Sequence, residues 1–178
     1  MDSNNRQQPE ENYKDLKGFE AGEKIKELAS KNNSCFFCTG IALGKPATVR
    51  PMAVQKVDGE GNFWFLSAKD SQKNQEIKAD NTVQLLFQGS GHSDFLSIYG
   101  KATIYVDREL IKKLWEPIDK TWFTGGVDDP SITVIKVETK QGYFWDNKYG
   151  NAIALVKMAA GAMMGKSLDD SIEGQLKM

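Results

Sequence analysis

The sequence predicts a mainly-β fold, an antiparallel barrel with peripheral helices. Three observations carry this. Short β-like runs follow one another through tight links, the run 95–106 alternates cleanly between apolar and polar residues, and helical periodicity is confined to short segments at corners and ends. Strands linked this closely favour an antiparallel barrel over a doubly wound sheet.

Residues 1–14 are polar, lack the apolar stretch of a signal peptide, and are expected to be a flexible tail. A single domain is expected over 15–168, followed by a C-terminal tail at 169–178. Over 19–29, Ala21, Ile25, Leu28 and Ala29 recur at helical spacing until Asn32-Asn33 breaks the pattern. Strands are predicted at 34–42 and 48–57, and Asp58-Gly59-Glu60-Gly61 reads as a hairpin turn into a third at 62–67. A short helix at 71–79 precedes a strand at 82–88. In 95–106, Leu96, Ile98, Ala102, Ile104 and Val106 share one face, with Ser97, Tyr99, Lys101, Thr103 and Tyr105 on the other. Asp107 caps a helix at 108–116, whose stripe of Leu110, Ile111, Leu114 and Trp115 ends at Pro117. A sixth strand starts at 132–137 and continues irregularly to Asp146, and a last helix rich in Ala and Met covers 152–164.

Composition narrows the function classes. The 178 residues are 40% hydrophobic and 26% charged, as in ordinary globular proteins. A net charge of −1 argues against a general nucleic-acid binder. A single histidine removes most zinc enzymes, and two cysteines cannot form a disulfide framework. No run approaches the roughly 18 apolar residues of a membrane helix. The expectation is a cytoplasmic protein without membrane or nucleic-acid partners.

Several motifs have ordinary readings. Gly161-Ala-Met-Met-Gly165-Lys166-Ser167 is one residue short of a phosphate-binding P-loop and has no strand leading into it. Cys35-Phe36-Phe37-Cys38 lies in a predicted strand, where residues three apart face opposite sides, so two buried thiols are expected rather than a metal or redox pair. His92 falls in a Gly/Ser loop, and no Gly-x-Ser-x-Gly elbow accompanies it.

A more informative pattern spans three segments. Arg50-Pro51-Met52 sets an arginine beside a proline, which marks an edge strand or a bulge. The run Phe63-Trp64-Phe65-Leu66-Ser67 leads into Lys69-Asp70-Ser71-Gln72-Lys73 at a helix start. Backbone N–H groups there, with Ser67, Ser71 and Lys73, suit a phosphate monoester. On the residues alone, an ordinary helix start and a phosphate cradle both fit.

The stretch 65–87 resembles the phosphate-binding segment of the pyridoxamine 5′-phosphate oxidase-like split barrels, in which a strand ends in Thr or Ser and Ser-Arg-Lys opens a helix. Ser67 matches the hydroxyl, and Ser71-Gln72-Lys73 matches Ser-Arg-Lys with the arginine lost. Arg50 falls where the family has its other phosphate-contacting arginine, and Gln55 where the oxidases have a lysine. Arg50-Pro51-Met52, Trp122 to Pro130, Tyr143-Phe144-Trp145-Asp146 and the tail with Gly165-Lys166 are similar to the bacterial general stress proteins of this superfamily, over 18–168.

The resemblance implies an antiparallel six-stranded split β-barrel of the FMN-binding type, acting as a homodimer with flavin between subunits. The cofactor would be FMN, or alternatively FAD, bound by Arg50, Met52, Ser67, Ser71, Gln72 and Lys73, with Trp145 approaching from the partner chain and Trp122 a weaker candidate. No catalytic residue and no metal is implied. Vitamin B6 phosphate oxidation is not expected: the oxidases' substrate-holding arginines and histidine are missing from 147–155, where the positions are Asn151 and Leu155. Three readings stay open: a flavin-binding stress protein with a redox role, a flavin-dependent oxidoreductase on a small substrate, and a cofactor-free interaction module.

Overall fold

In the computed structural model, which describes residues 12–41, 46–90, 93–164 and 170–178, the architecture is organised around one long strand, β8 (Ile132–Asn147). One edge of β8 pairs antiparallel with β7 (Phe95–Tyr105) along nearly its whole length. Its other edge changes partner. The first half pairs with β5 (Phe63–Ala68), and the second half with β9 (Ser171–Lys177). From β7 the sheet continues through β6 (Thr82–Gln88) and β2 (Ser34–Thr39) to the edge strand β3 (Thr48–Ala53). Two short strands complete it: β1 (Leu16–Lys17) runs parallel to β9, and β4 (Lys56–Val57) pairs with β5. Among the described residues no ladder joins β3 to β5, so the sheet curls into a barrel that stays open there. This is the split-barrel arrangement that the sequence predicts.

Local signals place the helices: α1 (Phe19–Ser30), α2 (Gln72–Ala79), α3 (Arg108–Leu114) and α4 (Asn151–Met164). The Ser71 hydroxyl accepts from the Asn74 N–H at 3.3 Å, and the Asp107 carboxylate from the Leu110 N–H at 3.0 Å; both satisfy donors that a helix start leaves open. Helix α3 ends two residues before the predicted 116, because Pro117 disfavours helical backbone at the residue before it, and a 3-10 turn (Pro117–Thr121) follows.

The main core fills the barrel and the underside of α1 with Phe37, Phe63, Phe65, Leu85, Ile98 and Phe144, all essentially inaccessible. Each such side chain contributes about 1.5–3 kcal/mol of burial. A second cluster of Leu66, Ile111, Leu114, Phe123, Ile132 and Val134 seats α3 and the segment after it against β5 and β8.

Three expectations change. The stretch Ser171–Lys177, expected as a tail, is β9; Gly174 passes so close to the Lys14 carbonyl that no Cβ would fit. The N-terminal tail is also shorter than 1–14. Lys14 N–H donates to the Glu173 carbonyl at 2.8 Å, and Glu173 N–H to the Asn12 carbonyl at 2.9 Å, while 1–11 lie outside the described residues. Val106, expected inside, is 70% exposed, because the chain leaves the sheet at Tyr105 to cap α3. His92, Ala42 and the Gly165-Lys166-Ser167 end of the P-loop-like stretch also lie outside the described residues.

At the β7/β8 register shift beside Gly100, a Cβ would meet the Glu138 carbonyl oxygen at 2.5 Å and Val137 Cγ1 at 2.8 Å. Gly100→Ala is therefore expected to cost about 1–3 kcal/mol in urea unfolding. Gly59→Ala, which points into open space, is expected to stay within about 0.5 kcal/mol of the parent. Equal midpoints for the two variants would contradict this close approach.

Candidate functional site

The opening between β3 and β5 holds a cleft of about 560 Å³. Pro51, Met52, Ala53 and Gln55 line it from the β3 side, Leu66, Ser67 and Ala68 from β5, and Lys73 from α2. Asp119, Trp122 and Phe123 form its outer wall. Pro51 on β3 conforms to the rule that a residue without an N–H belongs on an edge, and that edge is one lip of the cleft.

A closed hydrogen-bond circuit fixes the start of α2. Ser67 Oγ donates to Asn74 Oδ1 at 2.9 Å, Asn74 Nδ2 to Thr133 Oγ1 at 2.9 Å, and Thr133 Oγ1 to the Ser67 carbonyl at 2.9 Å. Ser71 Oγ lies 3.1 Å from Ser67 Oγ and accepts from the Asn74 N–H. Ser67, Asn74 and Thr133 are all buried, so the circuit leaves no orphaned polar atom and sets the helix start rigidly against β5 and β8.

Two cations flank this helix in different states. Arg50 donates from Nη2 to Glu76 Oε2 at 2.7 Å and from Nη1 to Thr39 Oγ1 at 2.9 Å. It does not line the cleft itself. Lys73, half-buried, has no hydrogen bond or ion pair among the described residues. Burial, and then the positive charge of Arg50, push its ammonium below the ordinary lysine value.

The structure thus brings Met52, Ser67 and Lys73 into one cleft, with Ser71 joined through Ser67. Gln72 is exposed and donates to Glu76 Oε1 at 2.9 Å. Trp145 sits elsewhere. It lies opposite Phe95 and Glu173 on the far half of β8, roughly 40 Å of strand from Thr133, and packs against Tyr143 with ring centroids 4.5 Å apart. Trp122, the weaker sequence candidate, stands at the cleft and is 76% exposed. Gln55 donates to the buried carboxylate of Asp119 at 2.9 Å, which ties β3's end to the outer wall. Cys35 and Cys38 are free buried thiols, one beside Met52 and the other beside Val49, and burial pushes both up.

Sequence reasoning did not single out Asn74, Thr133, Asp119 or Glu76. A signal existed for Asn74, since asparagine is a poor helix former and its place in the first turn of α2 asks for a reason.

The protein-family comparison decides the kinship: residues 20–169 match the family described as pyridoxamine 5′-phosphate oxidase like. The chain belongs to that family. Protein bli-3 of Neurospora crassa is 26% identical over 161 residues, covering 85% of this chain and 73% of bli-3. A crystal structure of a candidate general stress protein 26 from Jannaschia superposes with a TM-score of 0.73 at 20% identity, over 88% of this chain and 97% of that one. The general stress FMN/FAD binding protein of Xanthomonas citri superposes with a TM-score of 0.55 at 24% identity, over 68% and 84% respectively. The general stress branch expected from the motifs is thus represented among the relatives of this oxidase-like family, in which a fungal protein stands beside bacterial ones. No helix among the described residues is long and apolar enough to cross a membrane.

Because Asn74 satisfies two buried hydroxyl-bearing partners at once, Asn74→Ala is expected to cost about 1–3 kcal/mol in thermal or urea unfolding. A variant as stable as the parent would show that the circuit does not hold the helix start.

Proposed function

We propose that the chain is a flavin-binding, general stress protein-like split barrel of the cytoplasm, taking FMN, or FAD, by its phosphate at the start of α2. The observation that carries this reading is Lys73: a half-buried cation without a counter-ion among the described residues, in the cleft with Ser67 and two residues from the N-cap Ser71. A phosphate there would relieve the desolvated charge of Lys73 and accept from Ser71, whose hydroxyl proton can turn away from Ser67. The Ser67 proton is committed to Asn74, so Ser67 positions the cradle. Met52 and Trp122 offer apolar and aromatic surface for a planar ring system along the same cleft. A bound flavin would supply hydride and single-electron chemistry; the protein's part is to hold and orient it.

A homodimer is part of the proposal. Successive partners Pro51, Phe36, Leu86, Ser97 and Tyr143 make one row across the outer sheet face, and Trp145 stands on the same face two residues from Tyr143. Phe36 is 56% exposed, and Leu86, Tyr99 and Trp145 are also exposed, an apolar area that a second copy would cover. In such a pair Trp145 would reach the partner's cleft, which it does not reach in its own chain.

Purified protein is expected to show visible flavin absorption, or to melt at higher temperature when FMN is added. Lys73→Ala is expected to weaken FMN roughly 10–100-fold, the worth of one charge-assisted hydrogen bond, with riboflavin affected far less. Arg50→Ala is expected to weaken FMN in the same direction. Colourless protein without an FMN-dependent shift would reject the reading in favour of a cofactor-free module. Phe36→Glu is expected to give monomers in analytical ultracentrifugation and to lower FMN affinity with them; a variant still dimeric would move the interface to another face.

A further inference from the structure

We propose that Glu76 is a resident counter-anion of the phosphate site, holding Arg50 in the ligand-free chain and lowering the affinity of the cleft for a phosphate monoester. The inference rests on the flavin-phosphate reading above and concerns how strongly that site attracts its ligand.

Lys73 and Glu76 stand three residues apart on α2, a spacing at which a lysine and an acid ordinarily pair. Here they do not. The Glu76 carboxylate turns to the barrel side instead, where Oε2 accepts from Arg50 Nη2 at 2.7 Å and from Thr39 Oγ1 at 2.5 Å, while Oε1 accepts from Gln72 Nε2 at 2.9 Å. Burial works against its charge, but hydrogen bonds from Thr39, Arg50 and Thr48 hold its carboxyl below the usual carboxylate range, so Glu76 is an anion.

The consequence is an asymmetry between the two cations. Lys73 faces the cleft without an anion among the described residues, whereas the guanidinium of Arg50 is already paired with Glu76 and donates from both Nη1 and Nη2. The two cations are nevertheless close enough for the charge of Arg50 to act on Lys73. An entering phosphate therefore meets one positive charge that no anion among the described residues compensates, and a nearby arginine already held by a carboxylate. Competition between a carboxylate and a phosphate for one guanidinium lowers affinity for the phosphate, because arginine binds both with the same planar fork.

The sign of the effect separates this from a merely structural role. Glu76→Gln keeps the shape and an acceptor oxygen for Arg50 and Thr39 but removes the charge. Full-length parent, Glu76→Gln and Arg50→Ala/Glu76→Gln proteins would be titrated calorimetrically with FMN and with riboflavin, which lacks the phosphate. Glu76→Gln is expected to bind FMN about tenfold tighter and riboflavin unchanged, and the gain is expected to vanish, relative to Arg50→Ala, in the double variant. Equal or weaker FMN binding would overturn the proposal, as would an equal gain for riboflavin. If Glu76→Gln does not fold, Glu76→Asp withdraws the charge by one methylene and carries the same expected direction and the same contrary outcome. Inorganic phosphate distinguishes the two levels of the argument. Absence of flavin binding by every protein rejects the flavin reading, and a larger phosphate-induced rise in melting temperature for Glu76→Gln than for the parent still supports Glu76 as counter-anion. An equal rise overturns it.

Discussion

A strand of 16 residues in a twisted sheet cannot keep one straight neighbour along each edge, and the partner change along β8 is the constraint from which the rest of the architecture follows. On one edge β7 stays with it by taking a register shift at Tyr99/Gly100. On the other, the ladder with β5 ends at Val137 and that with β9 begins at Gln141. β5 is held by β8 along all six of its residues, and its opposite edge meets only the two residues of β4. The unpaired length faces β3, and the cleft is the space between them. A barrel closed by a continuous ladder would have no such opening.

What makes the opening chemically distinctive is the way α2 is planted at its rim. Ser67, Ser71, Asn74 and Thr133 bind one another so completely that the helix start is held in place, and burying Ser67, Asn74 and Thr133 is tolerable because each finds a partner. That rigidity fixes the position of Lys73 and aims Glu76 at Arg50. The same short helix therefore presents the Lys73 cation to the cleft and the Glu76 carboxylate to Arg50 on the barrel side.

Much of this was legible in the residues. Pro51 marked β3 as an edge, Asp107 and Ser71 marked two helix starts, and the alternation of 95–106 gave β7 its buried face. The motif Ser71-Gln72-Lys73 pointed to α2. Less legible were side chains whose role exists only in company. Asn74 is an unremarkable helix residue until Thr133, from a strand 59 positions away, comes within 2.9 Å. Glu76 looks like a solvated acid until β2 and β3 bring Thr39 and Arg50 to it. Trp145 and the cleft share a sequence motif family but not a neighbourhood in one chain.

By itself the sequence determined the class of fold, the presence of its six principal strands, the helix starts at Ser71 and Asp107, and the family to which the chain belongs, because each of these depends on local periodicity, turn chemistry or short motifs. Tertiary structure decided the remainder. It recruited Ser171–Lys177 as a strand, split the barrel between β3 and β5, and sorted Arg50 from Lys73. Strand recruitment depends on which edge of β8 is left unpaired, and the state of a charge depends on which opposite charge the fold sets beside it. Neither is written in the spacing of residues along the chain.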